Sequence, residues 1–120
     1  MLINLSNHPS SSWNEKQKKE ALKYGNILDI PFPDISPDIG TEDVEKSAQS
    51  YFKLCKDTAS PDKATIHIAG EPVFCFLLIQ LLLKENYTCI VSTTERIVRE
   101  ENNEKISVFE FNRFRKYKLL

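Results

Sequence analysis

The sequence predicts a single α/β domain, with a mostly parallel sheet, helices on both faces of the sheet and a C-terminal antiparallel hairpin. Short apolar strand patterns alternate three times with helical patterns along the chain. A further apolar strand is followed by a charged, Asn-rich segment and another alternating run, which is typical of a hairpin. No repeat or long linker divides the 120 residues, so we expect one Rossmann-like domain over residues 1–120.

The first half of the chain opens with a strand, a helix and a second strand. Leu2–Ser6 is a short apolar run. Trp13–Tyr24 has a Lys-rich helical pattern, which Ser12 and Glu15 are expected to start as a capping box. Asn26–Ile30 follows as the second strand, so these elements predict one strand-helix-strand unit.

Prolines separate the second strand from the second helix. Pro31–Pro37 contains three prolines, whose missing N–H groups disfavour both helix and sheet pairing and predict a loop. Thr41 is expected to cap the next helix, and the acidic Glu42 and Asp43 suit the positive end of its dipole. Apolar side chains then recur at helical spacing, at Val44, Ala48, Tyr51, Phe52 and Cys55.

The second half begins with the β-branched run Thr65–Ala69, and Pro72 then opens an apolar helix that continues to Lys84. This helix is apolar all round, which predicts burial on nearly every side, either by the sheet and a neighbouring helix or by a second subunit. The closing elements are a strand over Thr88–Ser92, a hairpin turn within Arg96–Lys105 and a strand over Ile106–Phe111.

Composition excludes several classes of function. The net charge of −1 gives no general affinity for duplex nucleic acid. Cys55, Cys75 and Cys89 are odd in number and widely spaced, so we expect no disulfide framework or zinc site and a reducing cytoplasm. The apolar block Val73–Leu83 is too short to span a bilayer, so no membrane association is expected. Dinucleotide, Walker, serine-hydrolase and zinc-protease motifs are missing.

Polar residues follow the first predicted strand, at the sheet edge where α/β proteins bind ligands. Asn7, His8, Ser10 and Ser11 bring together an imidazole, an amide and hydroxyls. Histidine can move a proton near neutral pH, and hydroxyls and amides can hold a phosphoryl oxygen. The alternative is that the serines only cap and make turn bonds, while the histidine lies idle at the surface.

The third strand also ends on residues that suit a ligand. Gly70 permits close approach to the backbone. Pro72 removes one donor, however, and the Glu71 carboxylate repels an anion unless it binds a ribose hydroxyl or an adenine amine. His67, which lies between two isoleucines within the strand, is expected to be a buried, hydrogen-bonded core residue rather than a ligand.

A third polar group follows the fourth strand, where Ser92–Arg96 is expected to form a turn rich in hydroxyls. Arg96 can grip a phosphate with two N–H groups, although a helix cap or a surface ion pair explains the segment equally well. The basic and aromatic segment Arg113–Lys118 suits either a single-stranded nucleic acid or a charge-protected edge strand.

Four short motifs extend over nearly the whole chain: LINLSNHPSS at 2–11, HIAGE at 67–71, STTER at 92–96 and SVFEFNRFRKY at 107–117. Together they resemble a family of small CRISPR-associated proteins related to the CARF sensor domain. CARF domains are Rossmann-like, form dimers and bind cyclic oligoadenylates made by type III CRISPR complexes. Several of these relatives are ring nucleases, which cut the cyclic messenger.

The resemblance implies a homodimer that binds cyclic tetra- or hexa-adenylate across its two-fold axis and uses no metal or other cofactor. It implies attack of a ribose 2′-hydroxyl on the adjacent phosphorus, which gives a 2′,3′-cyclic phosphate. The implied catalytic residues are His8 as proton shuttle, Ser11, and Arg96 as phosphate clamp. The implied ligand-binding residues are Ser6, Asn7, Ser10, Gly70, Glu71, Thr93, Thr94 and Glu95.

Two alternatives to a ring nuclease stay open at this point. One is a non-catalytic sensor or sponge of the same fold, which holds a cyclic nucleotide and releases it unchanged. The other is an adaptor protein, whose apolar third helix and basic-aromatic terminus join other proteins or RNA. Nucleotide binding separates the adaptor from the other two, and the products separate the nuclease from the sponge.

Overall fold

Parallel strands form most of the sheet, and helices cover both of its faces. The computed structural model describes residues 1–120. Its strands are β1 (Leu2–Ser6), β2 (Ile27–Asp29), β3 (Thr65–Ala69), β4 (Thr88–Glu101) and β5 (Glu104–Lys116). Its helices are α1 (Glu15–Leu22), α2 (Thr41–Thr58) and α3 (Pro72–Lys84). The predicted α/β class, with a mostly parallel sheet and a C-terminal antiparallel hairpin, is confirmed.

The strand order is β2-β1-β3-β4-β5, in which β1 to β4 run parallel and β5 runs antiparallel to β4. The chain moves from β1 to one side for β2 and then returns to the other side for β3. The order therefore reverses between β1 and β3, and Ser6 lies opposite Ala69 at the carboxyl ends of these strands. This reversal opens the crevice in which α/β sheets usually bind ligands.

Alternation along the strands divides the core between the two sheet faces. One face buries Ile3, Leu5, Ile66 and Ile68 in the large cluster with α2 and α3. The opposite face carries a smaller cluster beneath α1, formed by Leu2, Trp13, Ala21 and Ile90. The buried polar residues Asn4, Ser6 and His67 belong to this α1 face, because they alternate with the isoleucines and Leu5. The polar part of the interior is thus confined to one side of the sheet.

The hairpin is much longer than the sequence predicted. β3 pairs with β4 only as far as Ile90, whereas β4 and β5 stay paired out to Glu101 and Glu104. Asn102 and Asn103 form the turn with φ values of 51° and 65°, as two-residue hairpin turns require. Residues 94–111, which we call the arm, therefore project beyond the parallel strands.

The predicted turn at Ser92–Arg96 is wrong, because these residues lie within β4. Thr93, Thr94, Ile97 and Val98 are β-branched, and such side chains favour an extended backbone when a partner strand is present. The pairing with β5 supplies that partner. The hydroxyls of this segment consequently alternate between the two faces of a ribbon instead of converging in one turn.

The predicted capping box at Ser12 is also wrong. Ser10–Ser12 forms a single 3₁₀ turn, in which the Ser12 hydroxyl donates to the Pro9 carbonyl oxygen at 2.7 Å. Asn14 caps α1 instead, since its Oδ1 accepts from the Gln17 N–H at 2.9 Å. The helix therefore begins two residues later than predicted, and Trp13 is left free to enter the core.

The other helices differ less from their predicted form. Gly40, rather than Thr41, occupies the N-cap position of α2. α2 packs on α3, so a neighbouring helix covers part of α3, as one of the two expected arrangements requires. Val73 and Phe76 of α3 are nevertheless exposed. Within a single chain, the sheet and α2 therefore bury α3 only in part, and cover of these two positions by a second subunit stays a prediction. No helix combines the length and the apolar character needed to cross a membrane.

Candidate functional site

A network of buried and partly buried hydrogen bonds joins β1, β2 and β3 on the α1 face of the sheet. The Asn4 Nδ2 donates to Asp29 Oδ1 at 2.8 Å. The amide oxygen of Asn4, Oδ1, is thus left as an acceptor. That oxygen accepts from the Ser6 hydroxyl at 2.8 Å and from the Nδ1 of His67 at 2.9 Å. One asparagine side chain thereby fixes the proton of the buried histidine on Nδ1.

His67 also connects β3 to β4. Its Nε2 accepts from the backbone N–H of Ser92 at 3.2 Å and lies 3.3 Å from the Ser92 hydroxyl oxygen. Burial, with a smaller contribution from nearby His8, lowers the pKa of His67 to about 4. The ring is therefore neutral at pH 7, and its expected role as a buried, hydrogen-bonded core residue is confirmed.

The same network holds the turn that carries His8. The Nδ2 of Asn4 also donates to the His8 carbonyl oxygen at 3.0 Å, and the His8 N–H donates to the Ser6 hydroxyl oxygen at 3.3 Å. The His8 side chain itself is exposed. The backbone of His8 is thus fixed from beneath, while its imidazole faces solvent.

Asp29, at the end of β2, anchors the next part of this turn. It accepts from the Ser10 N–H at 3.0 Å and from the Ser10 hydroxyl at 2.6 Å. Partial burial raises the pKa of Asp29, but the hydrogen bonds from Ser10 and Asn4 together outweigh it and hold the pKa below its usual value. Asp29 is therefore a carboxylate at neutral pH. Sequence reasoning missed this residue.

Two clefts flank the carboxyl ends of β1 and β3. The first, which we call the acidic cleft, has a volume of about 650 Å³ and includes Ser6, Asn7 and the loop after β2 in its walls. Three carboxylates also line it, namely Asp29, Asp34 and Glu71. Their combined negative charge opposes the binding of a phosphate group.

The N-terminus of α3 is already occupied by groups of the protein itself. Glu71 Oε2 accepts from the Phe74 N–H at 2.7 Å and so caps the helix. A Cβ atom on Gly70 would lie 2.3 Å from the ring of Phe32. Gly70 therefore admits a phenylalanine ring, and Glu71 satisfies the amide that a phosphate would otherwise bind.

The second cleft, which we call the histidine cleft, lies on the α1 face and has a volume of about 250 Å³. None of its twelve lining residues is acidic. They are Ser6, His8, Ser12, Trp13, Asn14, Gln17, His67, Ala69, Ser92, Thr94, Phe109 and Phe111. The cleft therefore offers an imidazole, hydroxyls and amides without the repulsion that the acidic cleft imposes.

Aromatic rings form one wall of the histidine cleft. The Trp13 and His67 rings pack nearly perpendicular to each other with centroids 5.4 Å apart, and the Phe111 and Phe114 ring centroids lie 4.9 Å apart. A bulge in the β4–β5 ladder allows this, since Thr94 pairs with Phe111 while Ser92 pairs with Phe114. The bulge thus places two phenylalanines three residues apart on the same face.

The predicted site residues divide between several places. Ser6, His8 and Thr94 line the histidine cleft. The side chains of Thr93 and Glu95 lie on the opposite face of the hairpin, because strand residues alternate. Of the remaining predicted residues, Asn7 and Glu71 line the acidic cleft, Ser10 binds Asp29, and Gly70 lies under Phe32.

The two other predicted catalytic residues lie outside the walls of the histidine cleft. Ser11 is exposed in the 3₁₀ turn. Arg96 lies in the arm on the same face as Thr94, where its Nε and Nη2 donate to the Ser107 hydroxyl oxygen at 3.2 and 2.9 Å. No group of three or more His, Cys, Asp or Glu side chains is placed to hold a metal ion.

A family model matches residues 1–115, which include all three helices, both clefts and nearly all of the hairpin. The chain belongs to the Uncharacterized protein MJ1673 family. Searches of curated proteins and of solved structures gave no match. The family description names no activity, so the chemistry of the two clefts has to carry the functional proposal.

Sequence reasoning also missed Phe109 and Phe111. The signal was present in Ser107–Phe111, where alternation places residues 107, 109 and 111 on one face of a strand. What the sequence did not indicate was the length of β4, which brings that face opposite Thr94 and beside His8.

The contact between Gly70 and Phe32 can be tested through stability. We expect Gly70→Ala to lower the free energy of unfolding by about 1–3 kcal/mol, because the new methyl group overlaps the Phe32 ring and because Gly70 has a φ of 157°, which alanine rarely adopts. Chemical denaturation gives the value. The control is Gly70→Ala in a Phe32→Ala background, where the overlap is gone and only the strain at φ remains, so we expect a smaller loss there. Equal stability of Gly70→Ala and the wild type would contradict this packing.

The buried neutral His67 predicts a specific loss of stability in acid. The unfolded chain binds a proton near the ordinary pKa of 6.5, whereas folded His67 does so only near pH 4. The stability present above pH 6.5 is therefore lost as the pH falls towards 4, by roughly 3 kcal/mol. Denaturation of wild type and His67→Gln at pH 7, 5.5 and 4.5 measures this difference.

Comparison of the wild type with His67→Gln separates the effect of His67 from that of other acid-sensitive groups, because the carboxylates titrate equally in both proteins. We expect the wild type to lose stability more steeply than His67→Gln. His8→Gln removes only the smaller, His8 contribution to the lowered pKa of His67, so it should flatten the wild-type slope only slightly. Parallel curves for wild type and His67→Gln would show that the histidine is not held neutral.

Proposed function

We propose that this protein is a ring nuclease, which binds cyclic oligoadenylate at the histidine cleft and cuts it without a metal ion. The observation that carries the proposal is the exposed imidazole of His8 in a carboxylate-free cleft at the switch point of the sheet. The resemblance of four motifs to CARF-related proteins indicates the ligand class. The histidine cleft suits an anionic phosphodiester better than the acidic cleft does.

The proposed reaction is an internal transfer within the messenger. The ribose 2′-oxygen forms a bond to the adjacent phosphorus, and the bond from phosphorus to the 5′-oxygen breaks. The 2′-hydroxyl proton leaves through His8, and a proton is returned to the 5′-oxygen of the leaving nucleotide. The products are a 2′,3′-cyclic phosphate and a 5′-hydroxyl, so no water is consumed.

Other side chains of the site would bind and orient the phosphate. Thr94 supplies a hydroxyl within the cleft, and Ser11 supplies one from the exposed turn beside His8. Arg96, which donates to the neutral Ser107 hydroxyl, forms a stronger bond when an oppositely charged phosphate replaces that partner. These groups position the reacting atoms in line and stabilise the charge that develops on phosphorus.

The size of the histidine cleft supports a homodimer. Its volume of about 250 Å³ is below the roughly 300 Å³ of the smallest pockets for drug-sized ligands. One cleft therefore suits about one nucleotide of a ring. Two copies related by a two-fold axis would each hold half of a cyclic tetra- or hexa-adenylate. The three free cysteines agree with action in the reducing cytoplasm.

The direct test is incubation of the purified protein with cyclic tri-, tetra- and hexa-adenylate, with and without EDTA. We expect linear products that end in a 2′,3′-cyclic phosphate and that form equally well in EDTA. Liquid chromatography with mass spectrometry identifies them. Intact rings recovered with the protein would indicate a sponge or sensor. Intact rings that do not bind at all would overturn the proposal in favour of an adaptor.

Replacement of His8 tests the proposed proton transfer. We expect His8→Ala to reduce the single-turnover rate at least a hundredfold, as removal of a general acid–base does, with little effect on ring binding. Lys46→Ala is the control, because Lys46 lies on α2 at the other face of the sheet. Turnover of His8→Ala at the wild-type rate would remove this role from His8.

A further inference from the structure

Phe109 is an exposed aromatic residue at a polar site. Its side chain is 67% exposed, yet it lines the histidine cleft together with His8 and Thr94. The neighbouring Phe111 is 5% exposed and stacks against Phe114, whereas Phe109 makes no contact with another aromatic ring of the chain. Phe109 is therefore the outermost ring of the aromatic wall and has one face available.

Arg96 lies directly across the ladder from Phe109. The two residues are register partners in β4 and β5, on the face of the arm that also carries Thr94. Opposed residues on one face of an antiparallel pair have Cβ atoms about 5 Å apart. A cationic and an aromatic residue thus start from neighbouring Cβ atoms, and in this structure the guanidinium is held by the Ser107 hydroxyl, one same-face pair further along the arm.

We propose that Phe109 is the base-stacking residue of the site and takes an adenine of the cyclic messenger on its exposed face. This inference rests on the proposed function. Aromatic side chains bind bases through their π faces, and adjacent cations hold the backbone, as in single-stranded nucleic-acid grooves. A nucleotide with its phosphate between His8 and Arg96 would place its base on Phe109.

The choice of adenine over pyrimidine follows from the way the base is held. When an aromatic side chain binds a base by stacking alone, its affinity depends on the area of contact. A purine covers more of a phenylalanine face than a pyrimidine does. Phe109 offers no hydrogen bond to a base edge. We therefore expect a preference for purine rings that depends on the aromatic ring at position 109.

Affinity for a ligand that cannot be cut tests this role. The probe is 2′-deoxy cyclic tetra-adenylate, which lacks the attacking hydroxyl, and calorimetry gives Kd for the variants. We expect Phe109→Ala to raise Kd about 5- to 100-fold, as loss of one stacked base does. Phe109→Tyr keeps the ring and should bind within about twofold of wild type. Phe109→Leu should resemble Phe109→Ala.

Val98→Ala is the matched control. Val98 is 55% exposed and lies on the same face of the arm, two residues beyond Arg96. This variant removes exposed apolar surface from the arm but no aromatic ring, so it should leave Kd unchanged. If Phe109→Ala binds as tightly as wild type, or if Val98→Ala weakens binding equally, the stacking role is overturned.

The remaining outcomes separate this inference from the proposed function. Wild-type binding and cleavage with unchanged affinity of Phe109→Ala would overturn only the stacking role. A wild type that binds no cyclic adenylate would overturn both. Sedimentation of each variant tests whether Phe109 lies instead in an interface between proteins. A change of oligomeric state in Phe109→Ala would assign the ring to a protein interface and overturn its role in base binding.

Discussion

Burial of a neutral histidine at the centre of the sheet is the constraint on which the site depends. His67 can be buried without charge only if both of its ring nitrogens have partners, which Asn4 and the Ser92 backbone provide. Asn4 in turn binds Asp29 and the His8 carbonyl oxygen. Four strands are thereby joined by hydrogen bonds on the α1 face of the sheet, and the backbone of His8, whose imidazole is exposed, is held in place by the buried Asn4 and Ser6.

The same edge separates two electrostatic environments. On one side Glu71 caps α3, and Asp29 and Asp34 line the same cleft. A helix N-terminus that would ordinarily attract a phosphate thus carries its own carboxylate. On the α1 face, the walls of the histidine cleft contain no carboxylate. An anion that approaches the carboxyl edge of the sheet is therefore favoured on the side of His8 and Arg96.

Periodicity was sufficient to predict the sheet, the helices and the closing hairpin, because buried strands and amphipathic helices have strong patterns. It also identified His67 as a core residue. It failed at Ser92–Arg96, since the same β-branched residues suit a turn flank or a strand, and only pairing with β5 decides between them. Phe32, which covers Gly70, comes from a proline-rich loop whose path no local pattern records. The cleft walls depend on such long-range contacts and on a bulge, so the sequence indicated the edge of the sheet but not which of its two sides is suited to an anion.

We propose that a cyclic adenylate binds on the α1 face of this edge. The most direct measurement is the change in backbone amide chemical shifts when 2′-deoxy cyclic tetra-adenylate is added to the ¹⁵N-labelled protein. We expect shifts concentrated in residues 6–12, 92–96 and 109–111. Shifts confined to residues 31–35 and the N-terminus of α3 would place the ligand in the acidic cleft and overturn binding on the α1 face. A spectrum that does not change would overturn it as well.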